Sequence, residues 1–203
     1  MSNTYLIVGL GNPGPEYAAT RHNIGQLVVE LLAARCRVAL KKQRGINAVI
    51  AETRLSYPAA SGASLMTPSP RVILAIPGTF MNQTGTPVAA LARYYRIKPE
   101  QVIAIHDDVD LPFDTVKLKQ GGGEGGHNGL RDITRALGTK DYLRVRMGVG
   151  RPPGNQQTAD FVLSRFNSTE RTALPAFLDD GADAAAMLIN EGLLPTQQHY
   201  HSK

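Results

Sequence analysis

His22 and the adjacent pair Asp107 and Asp108 are the residues of this chain best suited to acid–base chemistry. His22 lies near the start of a predicted helix, where the positive end of the helix dipole disfavours an imidazolium. A neutral imidazole can accept a proton at neutral pH, but it needs a partner that fixes its orientation. Either aspartate can serve, because both follow an apolar strand and a buried carboxylate needs a partner of its own. No GxSxG serine is present, so the pattern predicts that His22 activates water.

Asn12 and Asn82 are amide side chains that follow two other apolar strands. The carboxyl ends of neighbouring strands in an open α/β sheet meet in one crevice, which would bring these amides close to His22. Side-chain amides can orient an ester carbonyl and stabilise the negative charge that develops on its oxygen. Asparagines in loops also stabilise turns, so both roles stay open for this pair.

The same histidines and aspartates also have the chemistry of metal ligands. His22, His106 and His127 can join the two aspartates around a cation, but no HxxxH or HExxH spacing is present. Alternatively, the segment HDDVD is a turn that carries capping acids. We therefore expect no metal, and a metal-dependent hydrolase remains an alternative.

Two glycine-rich segments have the appearance of nucleotide-binding loops. In the first, Gly9, Gly11 and Gly14 form a GxGxxG pattern, but two prolines remove amides that a pyrophosphate needs, and the acidic residue expected ~20 residues later is missing. The second, GGGEGG at 121–126, is not followed by the lysine and serine or threonine of a phosphate loop. We therefore expect no nucleotide cofactor.

Basic residues are concentrated in the segment from Lys117 to Arg151. It holds three acidic residues and eight basic ones, a surplus that equals the whole chain's net charge of +5. The glycine run inside this segment leads into a predicted helix, which we expect Asn128 to cap. A helix N-terminus beside Lys117, Lys119 and Arg146 would attract a phosphate. An anionic partner such as RNA is predicted.

The pattern of apolar residues alternates between strands and helices along the whole chain. Three continuous apolar runs predict buried strands: Tyr5–Leu10, Arg71–Ile76 and Gln101–Ile105. Alternating runs predict half-exposed strands: Asn47–Arg54, Thr115–Lys119 and Tyr142–Val149. Helices are predicted from about Asn23, from Pro87 to Tyr95, after Asn128, near Ala159–Phe166, and from Ser168 to Glu191, bent or begun at Pro175. These elements predict one α/β domain over residues 1–203, a twisted mixed β-sheet flanked by helices.

Composition limits the remaining classes of protein. With 203 residues and 42% apolar residues, the chain can bury one substantial core. Cys36 is the only cysteine, so no disulfide framework is expected. The chain shows neither a secretory leader nor an apolar run of about 20 residues, which predicts a cytoplasmic protein outside the membrane. The uncharged stretch Leu55–Pro70 predicts a flexible surface loop.

Five segments in order carry a family resemblance. They are GLGNPGPEYAATRHNIG, PGTFMNQTG, HDDVDLP, KLKQGGGEGGHNGLRDI and YLRVRMGVGRP, and they span about Tyr5 to Pro152. Together they resemble bacterial peptidyl-tRNA hydrolase. The resemblance implies a monomeric, cytoplasmic esterase without metal or organic cofactor. Such an enzyme cleaves the bond between a peptide and the tRNA ribose, and so recycles tRNA from stalled or aborted translation.

The resemblance also implies roles for individual residues. His22 matches the general base, Asp107 the carboxylate that supports it, and Asn12 the asparagine that discriminates blocked from free aminoacyl groups. The remaining matches bind substrate: Tyr17, Phe80, Met81 and Asn82 around the peptide and the tRNA 3′ end, Asn128 beside the substrate and water, and Lys117, Lys119 and Arg146 on the acceptor stem. Lys119 and Arg146 resemble the clamp on its 5′ phosphate. His127, next to Asn128, is also predicted to bind the substrate or tRNA.

Two segments depart from the family pattern. The stretch Leu55–Pro70 is longer than usual, and PPGNQQ after Arg151 replaces a basic residue, which weakens an outer tRNA contact near Asn155. A non-catalytic RNA-binding relative would keep the basic segment but lose His22 or Asp107. Both residues are present, which favours an enzyme.

Overall fold

A computed structural model of the chain describes residues 4–56 and 69–202. The predicted loop Leu55–Pro70 therefore lies almost wholly outside the described residues. The strands in the described ranges are β1 (Thr4–Gly9), β2 (Lys41–Lys42), β3 (Ala48–Arg54), β4 (Arg71–Pro77), β5 (Val102–Asp108), β6 (Val116–Gln120) and β7 (Leu143–Gly148). The α-helices there are α1 (Ile24–Arg35), α2 (Gly85–Tyr94), α3 (Asn128–Leu137), α4 (Thr158–Val162), α5 (Ser168–Glu191) and α6 (Leu193–His201).

The seven strands form one mixed sheet in the order β2-β3-β4-β1-β5-β7-β6. Its centre is parallel, since β1 pairs with both β4 and β5, and β5 pairs with β7. Its two edges are antiparallel, through β2 with β3, β3 with β4, and β6 with β7. The predicted α/β fold with a mixed sheet is confirmed.

Helices cover both faces of this sheet. On one face, Ile7 of β1 and Ile103 of β5 pack with residues of α1 and α5; on the other, Leu6 of β1 packs with residues of α2 and α3. A fully buried Leu or Ile side chain contributes about 1.5–3 kcal/mol. The central strands are therefore apolar on both faces, as continuous apolar runs predict.

Two glycines allow α1 to approach the sheet closely. A Cβ placed on Gly25 would lie 2.0 Å from the carbonyl oxygen of Ile105, and one on Gly9 would lie 2.4 Å from the carbonyl oxygen of Gly25. No side chain fits at either position. This contact fixes the turn just before α1, which carries His22, against the end of β5.

Two predicted boundaries are wrong and one is confirmed. Helix α2 begins at Gly85, which makes Pro87 its third residue. Helix α5 has the predicted bounds, Ser168–Glu191: it does not begin at Pro175 but contains it, because Asn167 and Glu170 form a capping box at its start. Strand β5 does not end before His106 but continues to Asp108.

Helix α6 is an element that the apolar pattern did not reveal. Gln197 donates to the carbonyl oxygen of Leu118, and His201 accepts from the amide of Leu118. These bonds cover the free edge of β6, which would otherwise expose unpaired backbone groups. Among the described residues, no helix combines the length and apolar character that crossing a bilayer requires.

Candidate active site

The carboxyl ends of β1, β4 and β5 open onto one cavity of about 690 Å³. This confirms that the three predicted loops meet at one edge of the sheet. Eight of the predicted site residues line the cavity: Asn12, His22, Phe80, Met81, Asn82, Asp107, His127 and Asn128. Four others do not line it: Tyr17, Lys117, Lys119 and Arg146.

His22 and Asp107 are in direct contact inside this cavity. Nδ1 of His22 lies 2.9 Å from Oδ1 and 3.0 Å from Oδ2 of Asp107. Since an ionised carboxylate only accepts hydrogen bonds, Nδ1 carries the proton and donates it. Nε2 of His22 is then the unprotonated nitrogen, the atom that can accept a proton from water.

His127 bonds to the same carboxylate from the other side. Its Nε2 lies 2.9 Å from Oδ1 of Asp107, and its Nδ1 accepts from the backbone amides of Gly129 and Leu130. The two amides place the His127 proton on Nε2, which donates to Asp107. His22, Asp107 and His127, here called the Asp107 cluster, are therefore joined by two imidazole donors and one shared acceptor.

The cap of α3 differs from the prediction. His127 is the N-cap residue, and Asn128 is the first residue of the helix. Because the ring of His127 already occupies the amides of Gly129 and Leu130, these donors are not free for a phosphate. The phosphate site that the glycine run predicted at this helix end therefore loses two of the donors on which it depends.

Charge and burial oppose each other within the Asp107 cluster. Burial lowers the pKa of His22, but the charge and hydrogen bond of Asp107 more than offset it and raise this pKa above 6.5. Burial raises the pKa of Asp107, but His22 and His127 hold it well below its usual range. From the sequence, the helix dipole is expected to lower the pKa of His22, but the adjacent carboxylate has the larger effect and the pKa is raised.

His106 is a buried neutral histidine in the wall of the cavity. Burial, followed by the neighbouring His127, lowers the pKa of His106 to about 3. Its Nδ1 donates to the carbonyl oxygen of Asp107, 2.7 Å away. His106 thus ties down the backbone that carries the carboxylate, a contact that the sequence did not indicate.

Asn12 is oriented by the backbone around it. Its Oδ1 accepts from the backbone amide of Met81 at 2.8 Å. The side chain of Asn23 accepts from the backbone amide of Asn12 and donates to its backbone carbonyl oxygen. Nδ2 is then the group of Asn12 that can donate to a carbonyl oxygen in the cavity. Asn82 also lines the cavity and is exposed, in the short 3-10 turn Met81–Gln83.

Tyr17 lies beside the cavity, not in its wall. Its ring contacts the ring of Phe80 edge to face, with centroids 6.3 Å apart, and the side chain of Phe80 is 51% exposed. The two rings therefore present an apolar surface at the cavity mouth.

Lys117, Lys119 and Arg146 lie on the paired strands β6 and β7 and are here called the basic face. Lys117 pairs with Arg146 in the register, and Lys119 pairs with Arg144. Arg146 donates to Asp108 at 2.8 Å, and Asp108 lines the cavity. This ion pair connects the basic face to the cavity. Arg144, counted among the basic residues of the segment, is 2% exposed and does not belong to this surface.

The Asp107 cluster also has the composition of a metal site. Ligand atoms of His22, Asp107 and His127 lie within 4.8 Å of one another. Two histidines and a carboxylate are ligands that zinc accepts. In the present geometry all three side chains are hydrogen-bonded to one another. The same side chains can therefore form either this hydrogen-bonded cluster or a metal site.

Comparison with known proteins identifies the family. The family model for peptidyl-tRNA hydrolase matches residues 6–203. The chain belongs to the peptidyl-tRNA hydrolase family. A peptidyl-tRNA hydrolase of Arthrobacter sp. (strain FB24) is 54% identical over 202 residues, covering 100% of this chain and 98% of that protein. One of Kineococcus radiotolerans (strain ATCC BAA-149 / DSM 14245 / SRS30216) is 52% identical over 202 residues, covering 100% and 99%.

A crystal structure of peptidyl-tRNA hydrolase from Acinetobacter baumannii is also similar. It is 32% identical, has a TM-score of 0.82, and the match covers 98% of this chain and 95% of that one. The resemblance of the five sequence segments to the peptidyl-tRNA hydrolase family is thereby confirmed.

In this member of the peptidyl-tRNA hydrolase family, two parts of the cavity wall were given no role by the sequence resemblance. One is α4, which contributes Thr158, Ala159 and Val162, with Leu163 directly after it. The other is the glycine loop, Gly121 to Gly126, of which the last three residues line the cavity. The apolar pattern predicted a helix in the region of α4, but its own sequence did not indicate that it lies against the cavity.

Proposed function

We propose that this chain hydrolyses the ester bond between a peptide, or an N-blocked aminoacyl group, and tRNA. The observation that carries the proposal is the contact between Nδ1 of His22 and Asp107, which leaves Nε2 as a base in the wall of a cavity. Membership in the peptidyl-tRNA hydrolase family supports the same activity. The biological role is then the recycling of tRNA from stalled or aborted translation, by a monomer in the cytoplasm.

In the proposed mechanism, Nε2 of His22 takes a proton from water as the oxygen attacks the ester carbonyl. Asp107 stabilises the imidazolium that forms, since its carboxylate is held ionised by two donors. The proton then passes to the ribose oxygen that leaves. Positioned general bases contribute about 10² to 10⁴-fold to the rate.

Amide groups stabilise the charge on the carbonyl oxygen in this mechanism. Nδ2 of Asn12 is the best-oriented donor, because its Oδ1 is fixed by the amide of Met81. Asn82 and Asn128 line the same cavity and complete the polar part of the site. Phe80 and Met81 supply its apolar part, where the peptide binds.

Binding of the tRNA is assigned to the basic face. Lys117, Lys119 and Arg146 lie on adjacent strands and are partly exposed. Cations in such a row attract the phosphates of an acceptor stem. The pair of Arg146 with Asp108 places this surface beside the cavity, where the 3′ end must enter.

Release of the acyl group from N-acetyl-aminoacyl-tRNA tests the proposal. The wild-type chain should release it in the presence of EDTA, whereas His22→Ala should lose most of the activity. Activity that survives in His22→Ala would remove His22 as the base. No activity in the wild-type chain, with tRNA binding retained, would favour a non-catalytic RNA-binding protein.

A metal-dependent hydrolase is the second candidate. It is favoured by the three ligand atoms of the Asp107 cluster that lie within 4.8 Å of one another. In that case EDTA should abolish release and added Zn²⁺ should restore it. Release that is equal with and without EDTA excludes this candidate.

A further inference from the structure

Arg144 is a buried cation that the proposed mechanism does not use. It is the second residue of β7, and only 2% of its surface is exposed. Its guanidinium carbon is 4.7 Å from the centre of the Tyr142 ring. In the described part of the chain, no carboxylate forms an ion pair with this guanidinium, although unpaired buried charges are rare.

The hydrogen bonds of Arg144 go to the glycine loop. One terminal nitrogen donates to the carbonyl oxygen of Gly123 at 2.7 Å, and the other donates to that of Gly122 at 3.2 Å. A guanidinium can hold two adjacent carbonyls in this way because its donors lie in a rigid plane. Arg144 therefore fixes the first half of the loop to the sheet.

Three glycines of this loop have open space on the side where a side chain would lie. A Cβ placed on Gly123, Gly125 or Gly126 would meet no atom within 4 Å. Gly125 and Gly126 also have positive φ angles of 58° and 77°, which only glycine adopts without strain. Backbone hydrogen bonds hold the two ends of the loop, from the amide of Gly121 to the carbonyl oxygen of Tyr142 at 3.3 Å and from the amide of His127 to that of Glu124 at 2.9 Å. Arg144 holds the part between them, at Gly122 and Gly123.

Two functional regions meet in this loop. Its second half, Glu124 to Gly126, lines the cavity and leads directly into His127, which bonds to Asp107. Its first half contacts the basic face, since a Cβ on Gly122 would lie 2.6 Å from Nζ of Lys119. Lys119 itself lies on β6, outside the loop, so a shift of the loop would chiefly move the cavity wall and His127.

We propose that Arg144 is a positioning residue for the proposed hydrolysis: its buried guanidinium holds the glycine loop so that the cavity wall and His127 are placed for reaction. Arg144 does not line the cavity, and it acts through the carbonyls of Gly122 and Gly123. The effect of Arg144 on hydrolysis rests on the proposed function, whereas its hold on the glycine loop does not.

The test compares Arg144→Gln and Arg144→Lys with a matched control, Arg93→Gln, which changes an exposed arginine at the end of α2. Hydrogen exchange of the amides from Gly121 to His127 should accelerate about tenfold or more in Arg144→Gln, because the loop opens locally, while β5 stays protected. Arg144→Lys keeps the charge and one donor, so its exchange should be intermediate. Arg93→Gln should behave as the wild type.

Kinetics separate positioning from binding. In Arg144→Gln, kcat on N-acetyl-aminoacyl-tRNA should fall about 10²-fold, as misplacement of a site by about 1 Å does. The Kd for deacylated tRNA should stay unchanged. Unchanged kcat, a parallel loss of tRNA binding, or loss of the fold in both variants would overturn the inference. A wild-type chain without hydrolysis would instead overturn the proposed function, and loop exchange would still decide what Arg144 holds.

Discussion

The Asp107 cluster and the basic face lie next to each other but differ in physical character. Side chains of the cluster are only 13%, 3% and 8% exposed for His22, Asp107 and His127, and they bond to one another. Lys119 and Lys117 of the basic face lie on the edge strand and are partly exposed, and Arg146 is 27% exposed. Low exposure strengthens electrostatic effects in the cluster, whereas solvent and salt weaken them on the basic face.

This difference supports the proposal that one region carries the chemistry and the other the affinity for tRNA. A buried cluster with fixed donors can hold a proton acceptor in one orientation, but it offers few groups for a long polymer. An exposed row of cations attracts phosphates over several ångströms without fixing any single atom. Changes in the cluster should therefore act on kcat and the pH profile, and changes in the basic face on KM and salt dependence.

The largest effect is expected for His22→Ala, which removes the proposed base from the cluster. The value of kcat should fall by about 10² to 10⁴-fold, while the Kd for deacylated tRNA stays the same. Rapid-quench measurement of acyl release and fluorescence titration of tRNA give the two values. His199→Ala, on the exposed surface of α6, is the control and should change neither. Equal losses of kcat and tRNA affinity would contradict the division between the two regions.

The next largest effect is expected for Asp107→Asn. Because His127 donates to Oδ1, the new amide nitrogen should replace Oδ2, which lies 3.0 Å from Nδ1 of His22. The new amide group would then face Nδ1 of His22, and only Oδ1, which His127 shares, could still accept from it. The tautomer with the proton on Nδ1 would lose stability relative to that with the proton on Nε2, and kcat should fall about 10²-fold or more.

The pH profile of the same variant has a definite sign. A general base acts when unprotonated, so wild-type activity should rise with pH through the pKa of His22, which Asp107 raises above 6.5. Without the carboxylate, burial alone lowers this pKa, and the midpoint of kcat/KM should move to lower pH. Asp110→Asn, which changes an exposed carboxylate paired with Arg151, should leave the midpoint unchanged. A midpoint that stays fixed in Asp107→Asn would remove Asp107 as the partner of the base.

A smaller effect is expected for Lys119→Ala on the basic face. The value of KM should rise about fivefold at most, since an exposed charge contact contributes about 1 kcal/mol or less. The slope of log affinity against log salt should decrease by about 0.9, the value for one phosphate contact in duplex nucleic acid. The control is Lys98→Ala, which removes a charge beside Glu100. A reduced kcat with an unchanged salt slope would place Lys119 in the site rather than on the RNA surface.

The parts of the site that follow strands were predictable from the sequence. Asn12, Asn82 and Asp107 each come at or soon after the end of an apolar run, and parallel central strands bring such positions together. The partner of His22 was predictable only as one of two aspartates. Strand β5 continues to Asp108, and alternation along it turns Asp107 toward His22, whereas Asp108 pairs with Arg146.

The parts that depend on contacts between distant segments were not predictable. Alternation along β7 places Arg144 on one face of the sheet, but nothing in β7 says that a glycine loop covers it. In the same way, the pKa of His22 follows from a residue 85 positions away and not from its own helix. His127 has a dual role as helix cap and partner of Asp107, which its local sequence did not distinguish from a surface histidine.

The smallest effect is expected for Gly125→Ala, in the loop that joins the two regions. The φ angle of Gly125 is 58°, so an alanine there is strained, but its Cβ would meet no atom within 4 Å. A left-handed conformation costs an L-residue about 1–2 kcal/mol, which lowers Tm by about 2–4 °C for each kcal/mol in a chain of this size. Gly123→Ala is the matched control, because that position is equally open and its φ is not positive. Gly123→Ala should leave Tm unchanged, so calorimetry of the two variants distinguishes backbone strain from a steric clash of the added methyl group.

The kinetics of Gly125→Ala then show which region the loop serves. If kcat falls more than tRNA affinity, the geometry of the loop matters for the Asp107 cluster; if tRNA affinity falls more, it matters for the basic face.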